Sequence, residues 1–347
     1  MHHKSNRSPV KRHTAFLHEH PRSRRPSRRM ALCILLSLPL ITMAESTIIR
    51  HAPDRFEIRL HSAGRDSLRL LQVTDLHLGH TERLLKDVST FRRLQALVEQ
   101  QAPDAVVITG DCFTGDSSLN RMALAYVPHI FDQWQRPWVL VFGNHDPEGG
   151  RSRDSLYAAV LRSRWGVLGR HQSADGRYAY DYQVLFTETF RPVPLWEVYA
   201  FDSGSGPGSK KISAASLSWF QRRSNESRIL SGRIVPALAV FHIPLKQYHE
   251  LAEGDLSAIR GEKKEPVCFE EDDGLVLEIF AGQGNIRACF CGHDHYNNYY
   301  GRHCSGILLA YGYISGESTK WAWPTGGRLI ALSLKGDGVQ LYTVLPH

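Results

Sequence analysis

Short apolar segments that stop abruptly at polar residues recur along this chain from about residue 68 onward. Segments 68–74 and 105–109 have the length and apolar character of buried strands, and a helical pattern at 87–101 connects them. This order predicts a βαβ unit with parallel strands, and therefore an α/β fold. The remaining pattern predicts strands at 138–142, 195–201, 237–241 and 286–291, helices at 118–135 and 213–221, a surface excursion at 251–274, and antiparallel strands within 306–345.

Five of these strands end in residues that can bind a metal ion. Because the ends of neighbouring parallel strands in one sheet lie side by side, we expect these side chains to converge. Imidazole nitrogens mixed with carboxylate and amide oxygens favour Zn, Mn, Fe or Co over Ca or Mg, which prefer oxygen ligands alone. The seven candidate ligands are Asp75, His77, Asp111, Asn144, His242, His293 and His295.

Seven ligands are too many for one ion and a suitable number for two. Two ions about 3.5 to 4 Å apart can clamp a phosphate group and activate water near neutral pH. A shared carboxylate is the usual means of holding two cations so close, and Asp111 is the candidate because it is the lone ligand on its strand. The sequence therefore predicts a dinuclear metal site.

Several of these residues have simpler explanations. His242 could be a hydrogen-bonded core histidine, and Asn144 could occupy a left-handed turn, a common use of asparagine. His145 could be a metal ligand instead of a catalytic group. Glu148 and the arginines at 151 and 153 could recognise phosphate, although a solvated loop is the simpler interpretation of that segment.

In order and in spacing, the series Asp75-x-His77, Gly110-Asp111, Gly143-Asn144-His145-Asp146, His242 and Gly292-His293-x-His295 resembles the calcineurin-like metallophosphoesterase superfamily. The resemblance covers roughly residues 68–315. It implies a four-layer α/β/β/α sandwich of two mixed β-sheets flanked by helices, with the dimetal site at the strand ends. It implies one metal held by Asp75, His77, Asp111 and His295, and the other by Asp111, Asn144, His242 and His293.

The resemblance also implies catalytic roles for His145 and Asp146. His145 would stabilise or protonate the departing group, and Asp146 would orient its ring. The segments GNHDPEGGRSRDSL, FHIPL and CGHDHYNNYYG resemble the purple-acid-phosphatase-like branch, which includes small plant forms and a fungal dephosphorylation protein. Purple acid phosphatases place a metal-bound tyrosine where this chain has Thr114, so we expect no tyrosinate colour and no obligatory Fe(III).

The N-terminal 44 residues differ in composition from the rest of the chain. Residues 1–29 carry nine Lys or Arg against one Glu, a local net charge of +8. Because the formal net charge of the whole chain is +7, the remaining residues carry a net charge of −1. The apolar run 31–44 after this basic extension predicts a signal peptide cleaved near Ala44, a secreted or periplasmic domain at 45–347, and no membrane span in the mature chain. An uncleaved anchor and a disordered tail are the alternatives, and Met30 could be the true start.

From these features we predict hydrolysis of phosphate esters by metal-activated hydroxide, with two divalent or trivalent ions of Fe, Mn or Zn. The predicted activity is that of a phosphomonoesterase acting on a small phosphorylated substrate. A phosphodiesterase acting on nucleotide or lipid diesters and a metal-binding scaffold without turnover are the alternatives. The charge of −1 outside the extension argues against strong nucleic-acid binding, which depends on basic surfaces.

Overall fold

The computed structural model describes the chain from residue 46 onward, with short gaps. The predicted N-terminal extension, signal peptide and cleavage site at Ala44 lie outside the described residues. Those residues are 46–61, 65–79, 83–114, 117–189, 191–204, 209–254, 259–319 and 324–347.

The strands of the structure are, in chain order, β1 (Thr47–Ala52), β2 (Arg55–Leu60), β3 (Ser67–Val73), β4 (Ala105–Thr109), β5 (Trp138–Val141), β6 (Gly166–Val167), β7 (His171–Gln172), β8 (Tyr178–Ala179), β9 (Tyr182–Glu188), β10 (Arg191–Ala200), β11 (Ala237–Val240), β12 (Ile259–Arg260), β13 (Ile286–Cys291), β14 (Tyr300–Arg302), β15 (Leu308–Tyr311), β16 (Gly327–Ser333) and β17 (Val339–Val344). The helices are α1 (Leu84–Gln101), α2 (Ser117–Asp132), α3 (Arg153–Val160), α4 (Ala214–Ser231), α5 (Lys246–Glu253) and α6 (Leu275–Gln283).

Two mixed sheets form the centre of the fold. The six-stranded sheet has the order β17-β16-β3-β4-β5-β6, in which β3 to β6 run parallel and β16 is antiparallel to both of its neighbours. The nine-stranded sheet has the order β1-β2-β9-β10-β11-β13-β15-β14-β12, with a parallel centre from β10 to β15. Strands β7 and β8 form a separate hairpin. The predicted α/β fold of two mixed sheets flanked by helices is confirmed.

Burial on both faces explains why the central strands are continuously apolar. Along β11, Leu238 and Val240 belong to the core that joins the two sheets and helices α1 to α3, whereas Ala237 and Ala239 face the second core beneath α4 to α6. Alternate residues of a strand point to opposite faces, so a strand covered on both sides carries apolar residues throughout. The helices thus cover the outer faces of the two sheets.

Two buried polar side chains connect the sheets to each other. The Nε2 atom of Gln72 on β3 donates to the Cys291 carbonyl on β13 at 3.0 Å. The guanidinium of Arg328 on β16, with no exposed surface, donates to the carbonyls of Tyr311 at 2.7 Å and Asn298 at 2.6 Å. Buried carbonyls need such partners, so the relative position of the sheets is set by hydrogen bonds as well as by apolar packing.

No helix within the described residues combines the length and the apolar character needed to cross a membrane.

We expect Arg328→Met to destabilise the protein strongly, because it leaves the buried Tyr311 carbonyl and the partly buried Asn298 carbonyl without their donor. Loss of hydrogen bonds from a charged donor, with buried acceptors left unpaired, should lower the free energy of unfolding by about 3 kcal/mol or more. Arg287→Met is the matched control, since Arg287 forms a partly exposed pair with Asp337 and should change stability by less than about 1 kcal/mol. Urea denaturation of both variants measures the difference, and equal effects would contradict the inter-sheet role of Arg328.

Candidate metal centre

The candidate ligands lie where the two sheets meet at their strand ends. Strands β3, β4 and β5, which are neighbours in the six-stranded sheet, lead into Asp75, Asp111 and Asn144. Strands β11 and β13, which are neighbours in the nine-stranded sheet, lead into His242 and His293. Two sheets therefore each contribute strand ends to the same site, and the predicted convergence of these side chains at the strand ends is found.

Asp75, His77, Asp111 and His295 form the first group. Each offers one ligand atom, and these atoms all lie within 4.8 Å of one another. The Nε2 atoms of His77 and His295 are 3.3 Å apart, and His295 Nε2 lies 3.5 Å from Asp75 Oδ1. Donors bound to one transition-metal ion at about 2.0 to 2.2 Å lie within roughly 4.4 Å of each other, and the separations of 3.3 Å and 3.5 Å fall within this limit.

A second group shares Asp111. Its Oδ2 atom lies 3.2 Å from His242 Nε2 and 3.5 Å from His77 Nε2. The Asn144 side-chain oxygen lies 3.0 Å from His242 Nε2, and the rings of His242 and His293 are 5.1 Å apart between centroids. One carboxylate oxygen therefore faces both groups, as a bridging ligand would. The structure brings all seven sequence-predicted ligands into this region.

Nearby groups fix the direction of the His242 ring. Its Nδ1 atom hydrogen-bonds the Thr109 carbonyl at 2.9 Å. A carbonyl can only accept, so Nδ1 carries the hydrogen and Nε2 is the atom presented to Asp111 and Asn144. Metal-binding histidines ordinarily have such a partner on the second nitrogen.

The backbone at the site adopts conformations that most residues avoid. The φ angles of Asp75, His77, Asp111 and His293 are 55°, 47°, 49° and 78°. Non-glycine residues in this left-handed region carry a conformational cost and cluster at functional sites. Backbone hydrogen bonds oppose this cost, since His77 donates to the Asp111 carbonyl at 2.9 Å. The strain is thus concentrated on the residues that carry the donor atoms.

A glycine is required where the loop after β5 passes Asp111. A Cβ atom on Gly143 would lie 2.2 Å from Asp111 Oδ1 and 2.3 Å from the Asp111 backbone nitrogen. The same oxygen accepts a hydrogen bond from the His145 backbone amide at 2.8 Å. The loop can therefore approach the carboxylate closely only without a side chain at 143.

The electrostatics of the site favour a bound cation. Burial lowers the pKa of His77 to about 4 and that of His293 to about 3, so both rings are neutral at pH 7 and keep a lone pair for a metal. Burial opposes protonation of His242 as well, yet the charge of Asp111 raises its pKa to about 10, so a proton on His242 compensates the carboxylate and a bound cation would replace that proton. Buried carboxylates require a countercharge. The protein's own donors therefore fit transition-metal ions.

The carboxylate that contacts the His145 ring is not the predicted one. The carboxylate of Asp146 accepts hydrogen bonds from the backbone amides of Phe113 at 2.9 Å and Gly143 at 2.7 Å. Glu148 contacts the ring instead, with 2.5 Å between its Oε1 and His145 Nδ1. Asp146 turns into the protein, with no exposed surface, so it holds the loops together while Glu148 faces the ring.

The sequence interpretation missed this role of Glu148, which it assigned to a solvated loop. Its only signal was an acidic residue three positions after His145. The two arginines that follow are tied into the protein: Arg151 donates to the Asp146 carbonyl at 2.9 Å, and Arg153 pairs with Asp202 at 2.9 Å. Glu270, which the sequence interpretation did not single out, places Oε1 3.7 Å from His293 Nε2.

Known proteins are similar to this chain in sequence and in fold. Residues 68–297 match the sequence model of the calcineurin-like phosphoesterase family. The chain is 28% identical to "Probable inactive purple acid phosphatase 28" of Arabidopsis thaliana, over 71% of this chain and 70% of the plant protein. It is 26% identical to phosphatase DCR2 of Saccharomyces cerevisiae, over 70% of this chain and 46% of the yeast protein.

A solved structure gives the same fold. A dimetal phosphatase from Danio rerio aligns with 82% of this chain and 100% of its own length, with a TM-score of 0.53 and 16% identity. Members of the matched family use a dinuclear metal site, and the donor geometry described above fits one. The family match spans most of the two-sheet domain and every candidate ligand, so this chain belongs to the calcineurin-like phosphoesterases and is a phosphoric ester hydrolase.

Proposed function

We propose that the protein hydrolyses phosphate monoesters with the help of two transition-metal ions. The observation that carries this proposal is the shared carboxylate, because Asp111 Oδ2 faces His77 in one donor group and His242 in the other. When bound, the two ions supply positive charge to the phosphate and lower the pKa of a coordinated water. The donor set of three carboxylate or amide side chains and four imidazoles suits Fe, Mn or Zn.

In this proposal the ligand residues fix the ions, and His145 acts on the substrate. Its side chain is 40% exposed at the rim, and its Nε2 atom lies 4.0 Å from Asp111 Oδ2. This position lets Nε2 reach the oxygen that departs from phosphorus, where a proton or a hydrogen bond stabilises the developing charge. Asp146 contributes indirectly, since its two amide hydrogen bonds hold the loops that carry Asp111 and Asn144.

Monoester hydrolysis is favoured by the names of the relatives, since the yeast protein is named a phosphatase and the Arabidopsis protein a probable inactive purple acid phosphatase. A phosphodiesterase is the alternative within the enzyme class. The word inactive in the plant name favours the other alternative, a scaffold that binds metal without turnover. Against this alternative, each predicted ligand and His145 are present in this chain and face the site.

We expect the chain from residue 45 to hydrolyse p-nitrophenyl phosphate faster than bis-p-nitrophenyl phosphate, with about two metal ions per chain by elemental analysis. Asp111→Asn should lower kcat by about a thousandfold or more, because the ions supply several kcal/mol and each 1.36 kcal/mol is tenfold in rate. Faster diester turnover would favour the phosphodiesterase. Two ions without turnover would favour the scaffold, and absence of bound metal would refute the proposal.

Gly143→Ala should damage the site, because the added methyl group must displace the Asp111 carboxylate or its backbone. A displacement of about 1 Å at a catalytic group costs roughly a hundredfold in rate, so we expect a loss of this order in kcat together with lower metal content. Gly282→Ala is the matched control, since a Cβ there has no neighbour within 4 Å and Gly282 lies in α6. Equal kcat and metal content in both variants would show that the close approach is unimportant.

The sequence also leads us to propose export of the protein through cleavage of the signal peptide near Ala44. The basic extension, apolar run and small residues before Glu45 support this proposal. Expression of the full chain in a secreting host should give a product whose N-terminal residue, determined by mass spectrometry, is Glu45. A product that keeps the apolar run 31–44 would contradict cleavage.

A further inference from the structure

A charged side chain lies at hydrogen-bond distance from the ring of His145. Glu148 Oε1 lies 2.5 Å from His145 Nδ1, and the Glu148 backbone amide donates to the His145 carbonyl at 3.0 Å, closing a turn. The second carboxylate oxygen, Oε2, accepts from the Thr114 hydroxyl at 3.3 Å. Glu148 is therefore held by the turn and by Thr114 while it contacts the ring.

We propose that Glu148 is a positioning residue for His145. It fixes the rotation of the imidazole and selects the nitrogen that faces the substrate. The proposal rests on the proposed function, because it assigns Glu148 to the step in which His145 acts on the departing oxygen. Glu148 does not itself reach the reacting atoms and works through His145.

The contact determines which nitrogen carries the hydrogen. A carboxylate accepts hydrogen bonds, so Nδ1 is the protonated nitrogen beside Glu148. Nε2 is then the atom that points toward Asp111, at 4.0 Å. To give a proton to the departing oxygen, Nε2 must carry hydrogen as well, so the acting form is the imidazolium; after the transfer the ring is neutral and keeps the Nδ1 hydrogen bonded to Glu148. A ring turned by 180° about χ2 would place Cδ2 beside Glu148 and Cε1 where Nε2 now faces Asp111, so it would lose the hydrogen bond to the carboxylate. Glu148 thus favours one of two ring orientations.

His145 needs an external support because the ring is poorly enclosed. Its side chain is 40% exposed, whereas those of His77 and His242 are 6% and 0% exposed. The nearest aromatic neighbour is His77, with ring centroids 5.2 Å apart and the planes tilted by 59°. Packing alone leaves the ring free to rotate about χ2. The hydrogen bond to Glu148 therefore holds the ring in one orientation.

Thr114 relates this contact to the metal ligands. It follows Asp111 by three residues in the loop after β4, and its backbone amide donates to the Leu78 carbonyl at 3.0 Å. Its hydroxyl thereby joins the loop that carries Asp111 to the carboxylate that holds His145. The ring is positioned relative to the ligand that both donor groups share.

A purely structural pair would behave differently. Glu148 is 42% exposed and the pair is formed between residues three apart, so its contribution to stability should be small. Removal of a surface pair changes neither metal content nor the dependence of rate on the leaving group. These two quantities therefore separate positioning from surface stabilisation.

The test compares wild type with Glu148→Ala and Glu148→Gln on p-nitrophenyl phosphate and glycerol phosphate. We expect two metal ions per chain throughout, KM within about threefold, and a loss of kcat of about tenfold to a hundredfold on glycerol phosphate in Glu148→Ala, within the range of general acid catalysis. The loss on p-nitrophenyl phosphate should be smaller, because nitrophenolate departs without a proton. Glutamine, whose amide oxygen still accepts a hydrogen bond, should restore part of the rate.

The double variant His145→Ala, Glu148→Ala shows whether Glu148 acts through His145. Its kcat should equal that of His145→Ala alone, because a positioning residue has no effect without the group it positions. Glu226→Gln is the matched control, since Glu226 forms another exposed pair between residues three apart, with Arg223, and should leave kcat unchanged. Additive losses, or equal losses on both esters, would overturn the proposal.

A spectroscopic measurement separates failure of this inference from failure of the proposed function. Long-range nitrogen–proton correlation spectra of the zinc-loaded protein report which nitrogen of His145 carries hydrogen, with assignment by comparison with His145→Ala. We expect the Nδ1–H form in wild type and its loss in Glu148→Ala. If wild type turns over no ester, this spectrum still tests the contact, and an unchanged form in Glu148→Ala would overturn it.

Discussion

The carboxylate of Asp111 is the group on which the rest of the site depends. It is 1% exposed, and its oxygens contact His77, His242 and the backbone amide of His145. An isolated charge in such a position would be costly unless partners compensate it. Burial opposes its ionised form, yet the neighbouring imidazoles hold the pKa of Asp111 below its ordinary value. The strand ends of both sheets supply these partners, so the two-sheet architecture is a condition for keeping this charge buried.

Close packing around Asp111 places a second constraint on the fold. A Cβ on Gly110 would lie 2.4 Å from His242 Nδ1, and one on Gly143 would overlap Asp111 itself. The close approach of the two sheets therefore requires glycine at these two positions. Buried polar bridges keep them there: Gln72 reaches Cys291 across the sheets, and its Nε2 atom also lies 3.0 Å from the Thr109 hydroxyl. Thr109 in turn orients His242 through its carbonyl. Sheet packing and ligand orientation are thus set by one hydrogen-bonded group.

The sequence predicts the features that depend on residue type, such as buried strands and metal ligands. It predicts fewer of the features that depend on the course of the chain in three dimensions. Strands β4 and β13 have the predicted bounds because both are almost continuously buried and apolar, apart from Thr109 and the partly exposed Arg287. The helix predicted at 213–221 extends to Ser231 in the structure. The extension was not predicted because the second half of the helix is polar and shows no apolar periodicity. Ser227 is nevertheless buried there and donates to Glu197 on β10, a partner that local sequence cannot reveal. The seven ligands were predictable because their chemistry is unusual at strand ends, whereas the strained backbone beneath them was not.

The segment after β5 shows why the partner of His145 was mispredicted. Asp146 and Glu148 are both carboxylates close to His145 in sequence, and only the course of the loop decides which of them meets the ring. Asp146 lies inside, where burial and the charge of Asp111 raise its pKa to about 7 and its oxygens accept hydrogen bonds from two backbone amides. Glu148 lies at the rim beside the exposed imidazole. One carboxylate therefore holds the buried ligand loops, and the other contacts the exposed ring of His145 at the rim.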